Sequence, residues 1–308
     1  MYSRNIERVL NLIERSRGCL GPYLGPIAEP EFDIDAIVAE TIETITVRPE
    51  GDGWVGDAPD WWGDVLFGGF ILGQATHAAT QTAPEGRRIH SLHGYFLRPA
   101  IAGSPISYRC APIRDGRTFA IHQLEASQQG KAVFTMTYSF TADTDGYEYE
   151  LPMPADAPPP EDVETELGPS PWESAWLGPT PPGPDGTMRS THRMWSRMAR
   201  PLPDDEGLHA ALIAMATDTT GTGGRPLHLD GDVRGMISID HAAWFHRPLR
   251  ADDWHFFDVH SLVNTGGRGV LRGTMFGADG HVAVSMAQEM LLRPYESIDE
   301  PRGRPVNE

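Results

Sequence analysis

The sequence predicts an α+β fold in which a unit of one long helix and an antiparallel sheet occurs twice. Three observations lead to this prediction. The chain of 308 residues is long enough for two compact cores. A helical pattern followed by four strand patterns occurs in each half. Short segments also recur at matching places, with YFLRP from Tyr95 aligned on WFHRP from Trp244.

The first unit is predicted to start with a short helix and to continue with a longer one. Asp33 to Glu40 has a helical pattern, and the segment after it, TIETITVRPEGDGWVGD, suggests a hairpin with a turn at its glycines. Between Asp64 and Thr82, apolar residues share one helical face and glycines indicate close backbone packing. An antiparallel meander follows. Its four strand patterns begin at His90, Ser104, Thr118 and Lys131.

Pro, Gly and acidic residues dominate from about Thr141 to Gly186, and such a composition cannot sustain the interior of a helix or strand. We therefore predict a linker there. The second unit should follow with a strand near Met188 and a helix from about Asp205 to Thr217. The predicted division is an arm at 1–32, a first domain at 33–141, a linker at 142–186, a second domain at 187–295 and a tail at 296–308.

Each sheet is expected to have an apolar face that must be covered, and the long helix is the element that can cover it. A helix wrapped by an antiparallel sheet in this way is the hotdog arrangement. We therefore expect two hotdog-like α+β units, with one long helix in each.

The composition excludes several classes of function. A formal net charge of −18 would repel a phosphate backbone, so nucleic acid is not expected as a partner. No apolar run reaches the ~18 residues that a membrane-crossing helix needs, so no membrane insertion is expected. Cys19 and Cys110 lack the spacing of a disulfide scaffold or a zinc site. His90 and His93 should point to opposite faces of a strand, so no metal site is expected.

Local charge still allows an anionic small ligand, because arginines occur within the well-patterned segments. These are Arg98, Arg114, Arg117, Arg247, Arg268 and Arg272. His241 and His246 flank an aromatic pair. A ligand contact is one interpretation of these two histidines, and structural packing is the role that we expect.

Five motifs occur in a fixed order along the chain. They are GGFILGQA from Gly68, HSLHGYFLRP from His90, RDGRTF from Arg114, SIDHAAWFHRP from Ser238 and AQEMLLR from Ala287. Together they resemble the bacterial acyl-CoA thioesterase II family and its peroxisomal relatives, over about Asp33 to Pro294. The resemblance implies the double-hotdog fold, hydrolysis of acyl-CoA to free fatty acid and CoA without a cofactor, and assembly as a homodimer or higher homo-oligomer.

The resemblance also implies a catalytic set. In that family an Asp late in the second long helix, a Thr or Ser in the next strand and a Gln in the last strand hold and activate a water. The matching residues are Asp218, Ser238 and Gln288. Phe70 stands where many relatives carry Gln, a departure that would alter the acyl tunnel or a polar contact to the ligand.

These residue types suit thioester hydrolysis, which needs an oriented water, a base and donors for the developing negative oxygen. Asp218 should lie partly buried at a helix C-terminus, and both effects raise the pKa of a carboxylate. Gln288 continues an alternating apolar row and should face the core, where the Ser238 hydroxyl can bond to a carboxylate and a water. The chain has no GxSxG motif of the kind that carries an activated serine. Without the resemblance, a helix-end role would be expected for Asp218.

The internal repeat predicts one catalytic site per chain, since Gln288 aligns with Tyr138 and Ser238 with Ile89. The first half is expected to contribute backbone N–H groups at the start of its helix, which would polarise the thioester carbonyl. The predicted substrate-binding residues are Gly68, Gly69, Phe70, Arg98 and Arg247.

Two alternatives stay open at this point. A catalytically silent acyl-CoA binding protein would keep the groove and bind without turnover. Another hotdog enzyme acting on CoA thioesters, such as a hydratase, would need an Asp/His motif in YxxPGDxNPxH surroundings, which is not visible. The C-terminal RPVNE differs from an SKL-type peroxisomal address, so a cytoplasmic location is expected.

Overall fold

The computed structural model of the protein describes residues 32–60, 64–168, 170–177, 191–221 and 233–294. The predicted arm, apart from Phe32, and the predicted tail lie outside these residues. The α-helices are α1 (Ile34–Ile45), α2 (Gly68–Thr80) and α3 (Glu206–Gly221). The strands are β1 (Arg48–Glu50), β2 (Gly53–Gly56), β3 (Arg88–Phe96), β4 (Ile106–Asp115), β5 (Phe119–Gln128), β6 (Lys131–Thr141), β7 (Glu166–Leu167), β8 (Trp172–Trp176), β9 (Thr191–Met198), β10 (Val233–Ser238), β11 (Asp240–Phe245), β12 (His255–Thr265), β13 (Arg268–Gly277) and β14 (Val282–Pro294).

The described strands form one continuous antiparallel sheet. Their order is β1-β2-β4-β5-β6-β3-β11-β14-β13-β12-β9-β8-β7, with β10 also paired to β14. The two halves of the duplication meet where β3 pairs with β11, in a register that places His93 opposite Ala242. The α+β double-hotdog prediction is confirmed, with strands β3 to β6 in the first half and β11 to β14 in the second. The predicted meander is wrong at its first strand, because β3 pairs with β6 rather than β4, and likewise β11 pairs with β14 rather than β12.

Helices α2 and α3 pack against each other in opposite directions. At the crossing, a Cβ on Gly73 would lie 3.2 Å from the carbonyl oxygen of Ala211, so the two backbones approach closely. At one end the start of α2 meets the end of α3, and at the other end Gly207 faces Thr80. The glycines that the sequence placed in the first long helix therefore serve helix packing, as predicted.

Helix α1 is longer than the sequence pattern indicated. The expected hairpin segment after Glu40 begins instead as five further helical residues, and the hairpin is confined to β1 and β2. The side chain of Asp33 caps the helix by accepting from the N–H of Ala36. Thr41 and Ile45 are buried, and burial of this face outweighs the strand preference of β-branched residues.

The Pro-rich segment at 142–186 is not irregular throughout. Strand β8 lies within it and pairs with β9, with Trp172 opposite Met198. Trp172 and Ala175 are buried, and Ala175 belongs to a small apolar cluster with Trp195 and Phe256. The expectation of no strand in this segment is therefore wrong at residues 172–176, where β8 pairs with β9, and at residues 166–167, where β7 pairs with β8. The domain boundaries themselves remain a prediction.

The prediction that His90 and His93 point to opposite faces is also wrong. A β-bulge between Ile89 and Ser91 inserts one extra residue and shifts the alternation of β3. His90 bonds to Ser139 on the outer face of the sheet, and His93 is exposed there against Trp244. None of the described helices is both long and apolar enough to span a bilayer.

Candidate active site

Asp218, Ser238 and Gln288 are brought together by the fold. Asp218 lies three residues before the end of α3 and is 1% exposed. Its Oδ1 atom accepts from Gln288 Nε2 at 2.6 Å and from Ser238 Oγ at 3.1 Å. Gln288 Nε2 also lies 2.7 Å from Ser238 Oγ, to which it donates. The three predicted residues therefore form one hydrogen-bonded cluster.

Strand β14 positions two members of this cluster, Gln288 directly and Ser238 through its pairing with β10. Gln288 shares one face of the strand with Val284, Met286 and Met290, which lie at every second position and are buried. Its amide therefore faces the core. Ser238 is the last residue of β10 and lies opposite Met290. Because β10 pairs with the same strand that carries Gln288, the hydroxyl and the amide are held side by side.

Burial is the main influence on the protonation of Asp218. It raises the pKa of the carboxyl to about 6, and the hydrogen bonds from Gln288 and Ser238 act in the opposite direction by stabilising the carboxylate. The group is then mostly ionised near neutral pH and is a stronger proton acceptor than an exposed Asp. The direction of this shift agrees with the expectation from the sequence.

The second carboxylate oxygen of Asp218 faces the start of α2. Oδ2 is buried and has no hydrogen-bond partner among the described residues. A Cβ on Gly68 would lie 3.1 Å from this oxygen. Since a helix leaves its first N–H groups without intrahelical acceptors, Gly68 and Gly69 present donors in the first turn of α2, whereas Phe70 already donates to Phe67 O. A carboxylate oxygen and a helix N-terminus thus lie next to each other across the two halves.

The other predicted substrate-binding residues are placed differently. Phe70 is buried in the core and packs edge-on against Phe67, with ring centroids 6.3 Å apart. Arg98 donates to the carbonyl of Ala132, and Arg247 pairs with Glu150 at 3.0 Å. The structure does not bring either arginine together with the Asp218 cluster.

A cavity of about 500 Å³ lies at the opposite end of the helix pair from Asp218. Ile89, Gly207 and Phe245 are among its lining residues. This is the place that corresponds to the Asp218 cluster in the first half, because Ile89 aligns with Ser238. Tyr138, which aligns with Gln288, bonds there to Thr82 at 3.0 Å. The equivalent position therefore lacks the polar set, in agreement with one such cluster in the described part of the chain.

Two polar residues beside the cluster were not predicted to belong to it. His241 is 1% exposed, and its Nε2 lies 2.9 Å from the Oγ1 of Thr217, the residue before Asp218. Packing was the expected role for this histidine. The pairing register of β11 with β14, which a single sequence does not show, is the signal that would have placed it at the site.

Family comparisons match both halves of the chain. Residues 58–141 match the acyl-CoA thioesterase N-terminal domain, and residues 151–292 match the acyl-CoA thioesterase C-terminal domain. The chain is 30% identical to acyl-coenzyme A thioesterase 8 of Mus musculus, covering 76% of this chain and 82% of that protein. It is also 30% identical to acyl-CoA thioesterase 2 of Haemophilus influenzae, covering 77% and 91%.

A solved structure supports the same comparison. The acyl-CoA thioesterase II TesB2 of Mycobacterium marinum superposes with a TM-score of 0.72 at 31% identity. The superposition covers 86% of this chain and 99% of that one. The similarity therefore extends over both halves and is not confined to a single unit.

Proposed function

Because the chain belongs to the acyl-CoA thioesterase family and is a thioester hydrolase, we propose that it cleaves acyl-CoA with a water activated by Asp218, Ser238 and Gln288. The products are free fatty acid and CoA. The observation that supports the mechanism is the difference in surroundings between the two carboxylate oxygens of Asp218. Oδ1 accepts from two side chains, whereas Oδ2 has no described partner and faces the start of α2.

The two bonds to Oδ1 fix the orientation of the base. Gln288 and Ser238 approach the same oxygen from β14 and β10, so the carboxylate cannot rotate without losing both bonds. Oδ2 is then held in place to accept a proton from a water. The raised pKa of about 6 strengthens this acceptor while leaving it ionised at neutral pH.

The start of α2 supplies stabilisation for negative charge. The backbone N–H groups of Gly68 and Gly69 would donate to the thioester carbonyl oxygen, and the positive end of the helix dipole favours the oxyanion. This places the carbonyl carbon close to a water held by Asp218 Oδ2. The absence of a side chain at Gly68 keeps the approach short.

The reaction proceeds by direct attack of water. Asp218 takes one proton as the water oxygen bonds to the carbonyl carbon and forms a tetrahedral intermediate. The intermediate collapses by breaking the carbon–sulfur bond, and the proton on Asp218 passes to the leaving thiolate. Asp218 returns to its ionised form, and no acyl group is transferred to the protein.

Substrate positioning is proposed to involve residues of the first half. Phe70 lies one residue beyond the proposed donors and packs against Phe67, and we assign its ring to contact with the acyl chain. Arg98 is exposed and has a backbone carbonyl as its described partner, so its charge is available to a CoA phosphate. Arg247 is already paired with Glu150, so its guanidinium would have to release that carboxylate before it could bind a CoA phosphate.

The direct test is CoA release from acyl-CoAs of short to long chain length, followed by detection of the free thiol. We expect wild-type turnover that falls on the order of a hundredfold or more in Asp218→Ala, the scale expected for loss of a general base. Asp252→Asn is a matched control, since Asp252 is a partly buried carboxylate that bonds to Leu202 and Arg250 outside the cluster.

Other outcomes would select the alternatives. Binding of acyl-CoA without thiol release by wild type would identify a binding protein. Loss of an enoyl-CoA double bond without thiol release would identify a hydratase. Equal thiol release by wild type and Asp218→Ala would overturn the assignment of the base.

A further inference from the structure

His241 lies beside Gln288 in the sheet. Strands β11 and β14 pair with Ala242 opposite Ala287 and Ala243 opposite Met286. One step further in the same antiparallel register, His241 is next to Gln288, and both side chains are 1% exposed. Neighbours across a strand pair place their side chains on the same face, so imidazole and amide share the core side of the sheet.

The cluster leaves one buried acceptor on Gln288. Its Nε2 donates to Asp218 and to Ser238, which uses both amide hydrogens. Its Oε1 and the Nδ1 of His241 are both buried, and neither has a partner of hydrogen-bond geometry among the described residues. Each of these two buried atoms therefore lacks a partner. They can bond to each other only if Nδ1 of His241 carries a proton.

We propose that His241 is a positioning residue for the hydrolysis, whose Nδ1–H donates to Gln288 Oε1 and thereby fixes the orientation of the Gln288 amide. The opposite amide orientation would put Oε1 at the place of Nε2, 2.6 Å from Asp218 Oδ1, where two acceptors repel each other. A donor at Nδ1 excludes that orientation. His241 therefore acts on the base through Gln288, and this inference rests on the function proposed above.

The other ring nitrogen is consistent with this tautomer. Nε2 lies 2.9 Å from Thr217 Oγ1, and it accepts from that hydroxyl when the proton is on Nδ1. The Thr217 hydroxyl also lies 2.7 Å from Ala214 O, so this tautomer requires its single hydrogen to point to Nε2 rather than to that carbonyl. The alternative tautomer would leave Nδ1 and Oε1 facing each other as two buried acceptors, which is the more costly arrangement.

The ring is neutral under working conditions. Burial lowers the pKa of His241 to about 4, and the interaction with Gln288 acts to raise it without reversing the shift. His241 and Gln288 do not meet the geometry of a hydrogen bond in the structure, yet they are close enough for Gln288 to affect the pKa of the imidazole. A neutral imidazole has a single N–H, so the position of that proton decides which way the amide points.

Two substitutions separate the roles of the two ring nitrogens. In His241→Asn, the side-chain amide nitrogen can occupy the place of Nδ1 and keep the donor to Gln288. In His241→Gln, the longer side chain places its amide near Nε2 and loses that donor. We expect kcat to fall roughly 10- to 100-fold in His241→Gln, with KM little changed, and to stay within about fivefold of wild type in His241→Asn.

A double-mutant cycle checks that the effect passes through Gln288. Once Gln288 is replaced in Gln288→Ala, the change His241→Gln should reduce kcat no further. Equal effects of the two His241 substitutions, or full additivity with Gln288→Ala, would overturn the proposal. Inactivity of the Asp218 variants is tested separately, so failure of this inference is distinguishable from failure of the proposed function.

A measurement on the wild-type protein avoids any folding defect of the variants. Nitrogen-15 NMR of histidine-labelled protein at pH 7 reports which ring nitrogen carries the proton, with His241→Asn used for assignment. We expect His241 as the neutral Nδ1–H tautomer. The Nε2–H tautomer or a charged ring would contradict the proposed bond to Gln288, whether or not the protein hydrolyses acyl-CoA.

Discussion

Gly68 and Asp218 belong to different halves of the duplication and lie against each other, since a Cβ on Gly68 would be 3.1 Å from Asp218 Oδ2. The contact joins the N-terminus of α2 to the C-terminal end of α3. The proposed base from the second half and the proposed oxyanion donors from the first half therefore meet at one place. Neither half contains the whole of this proposed site, which gives a physical reason for the tandem arrangement.

A methyl group at Gly68 should impair catalysis more than stability. Gly68→Ala would place Cβ 3.1 Å from both Asp218 Oδ2 and the Phe96 ring, tighter than normal contact. We expect kcat/KM to fall at least tenfold, because in the proposed mechanism water and thioester approach this oxygen. Gly207→Ala is the matched control, since Gly207 meets Thr80 at the opposite end of the helix pair. Comparable activity losses in both variants would show a folding effect instead.

The pH dependence of kcat/KM should report the ionisation of Asp218. The proposed mechanism requires the carboxylate of Asp218, and burial raises its pKa to about 6. We therefore expect a plateau above pH 7 and a tenfold decrease per pH unit well below pH 6. Steady-state rates between pH 4.5 and 8.5 provide the measurement. A profile that stays flat down to pH 4.5 would contradict the proposed base.

The hydroxyl of Ser238 should matter, whereas its exact side chain should not. Ser238→Ala removes the donor to Asp218 Oδ1 and the acceptor of Gln288 Nε2, so we expect kcat to fall roughly 10- to 100-fold. Ser238→Thr keeps the hydroxyl and should remain within about fivefold of wild type. Kinetics of both variants with one acyl-CoA check this, and equal losses would assign Ser238 a packing role.

Replacement of Asp218 by an amide should stabilise the fold at high pH. The pKa of this acid is higher in the folded protein than in an unfolded chain, so its ionised form costs stability above about pH 6. The difference between the folded and unfolded pKa values corresponds to a cost on the order of 3 kcal/mol. This cost disappears as the pH falls below about 4. Urea unfolding of Asp218→Asn and wild type at pH 8 and pH 4 measures the difference.

Asp252→Asn should show the opposite sign. Burial acts to raise the pKa of Asp252, but the Leu202 N–H and the Arg250 guanidinium outweigh it and hold the pKa below its ordinary value. Its ionised form therefore contributes stability that is present at pH 8 and is lost on acidification. An Asp218→Asn variant that is also less stable than wild type at pH 8 would contradict the burial argument.

The sequence predicted the parts of the fold that depend on local pattern. The alternation around Gln288 and the helical periodicity before Asp218 each follow from a short stretch of chain, and both agree with the structure. The end of α1 and strand β8 differ from prediction because partners distant in sequence stabilise them. His241 was assigned to packing for the same reason, since only the register of β11 against β14 places it beside Gln288. The partners of Arg247 are likewise set by tertiary contact.

The most direct test of the mechanism is one turnover in water enriched in oxygen-18, with protein in excess over acyl-CoA. Attack by a water that Asp218 deprotonates predicts one heavy oxygen in the fatty acid and none in the Asp218 peptide, as read by mass spectrometry. Heavy oxygen in the Asp218 peptide together with unlabelled fatty acid would show that the carboxylate itself attacked the thioester. That result would contradict the role of Asp218 as a base.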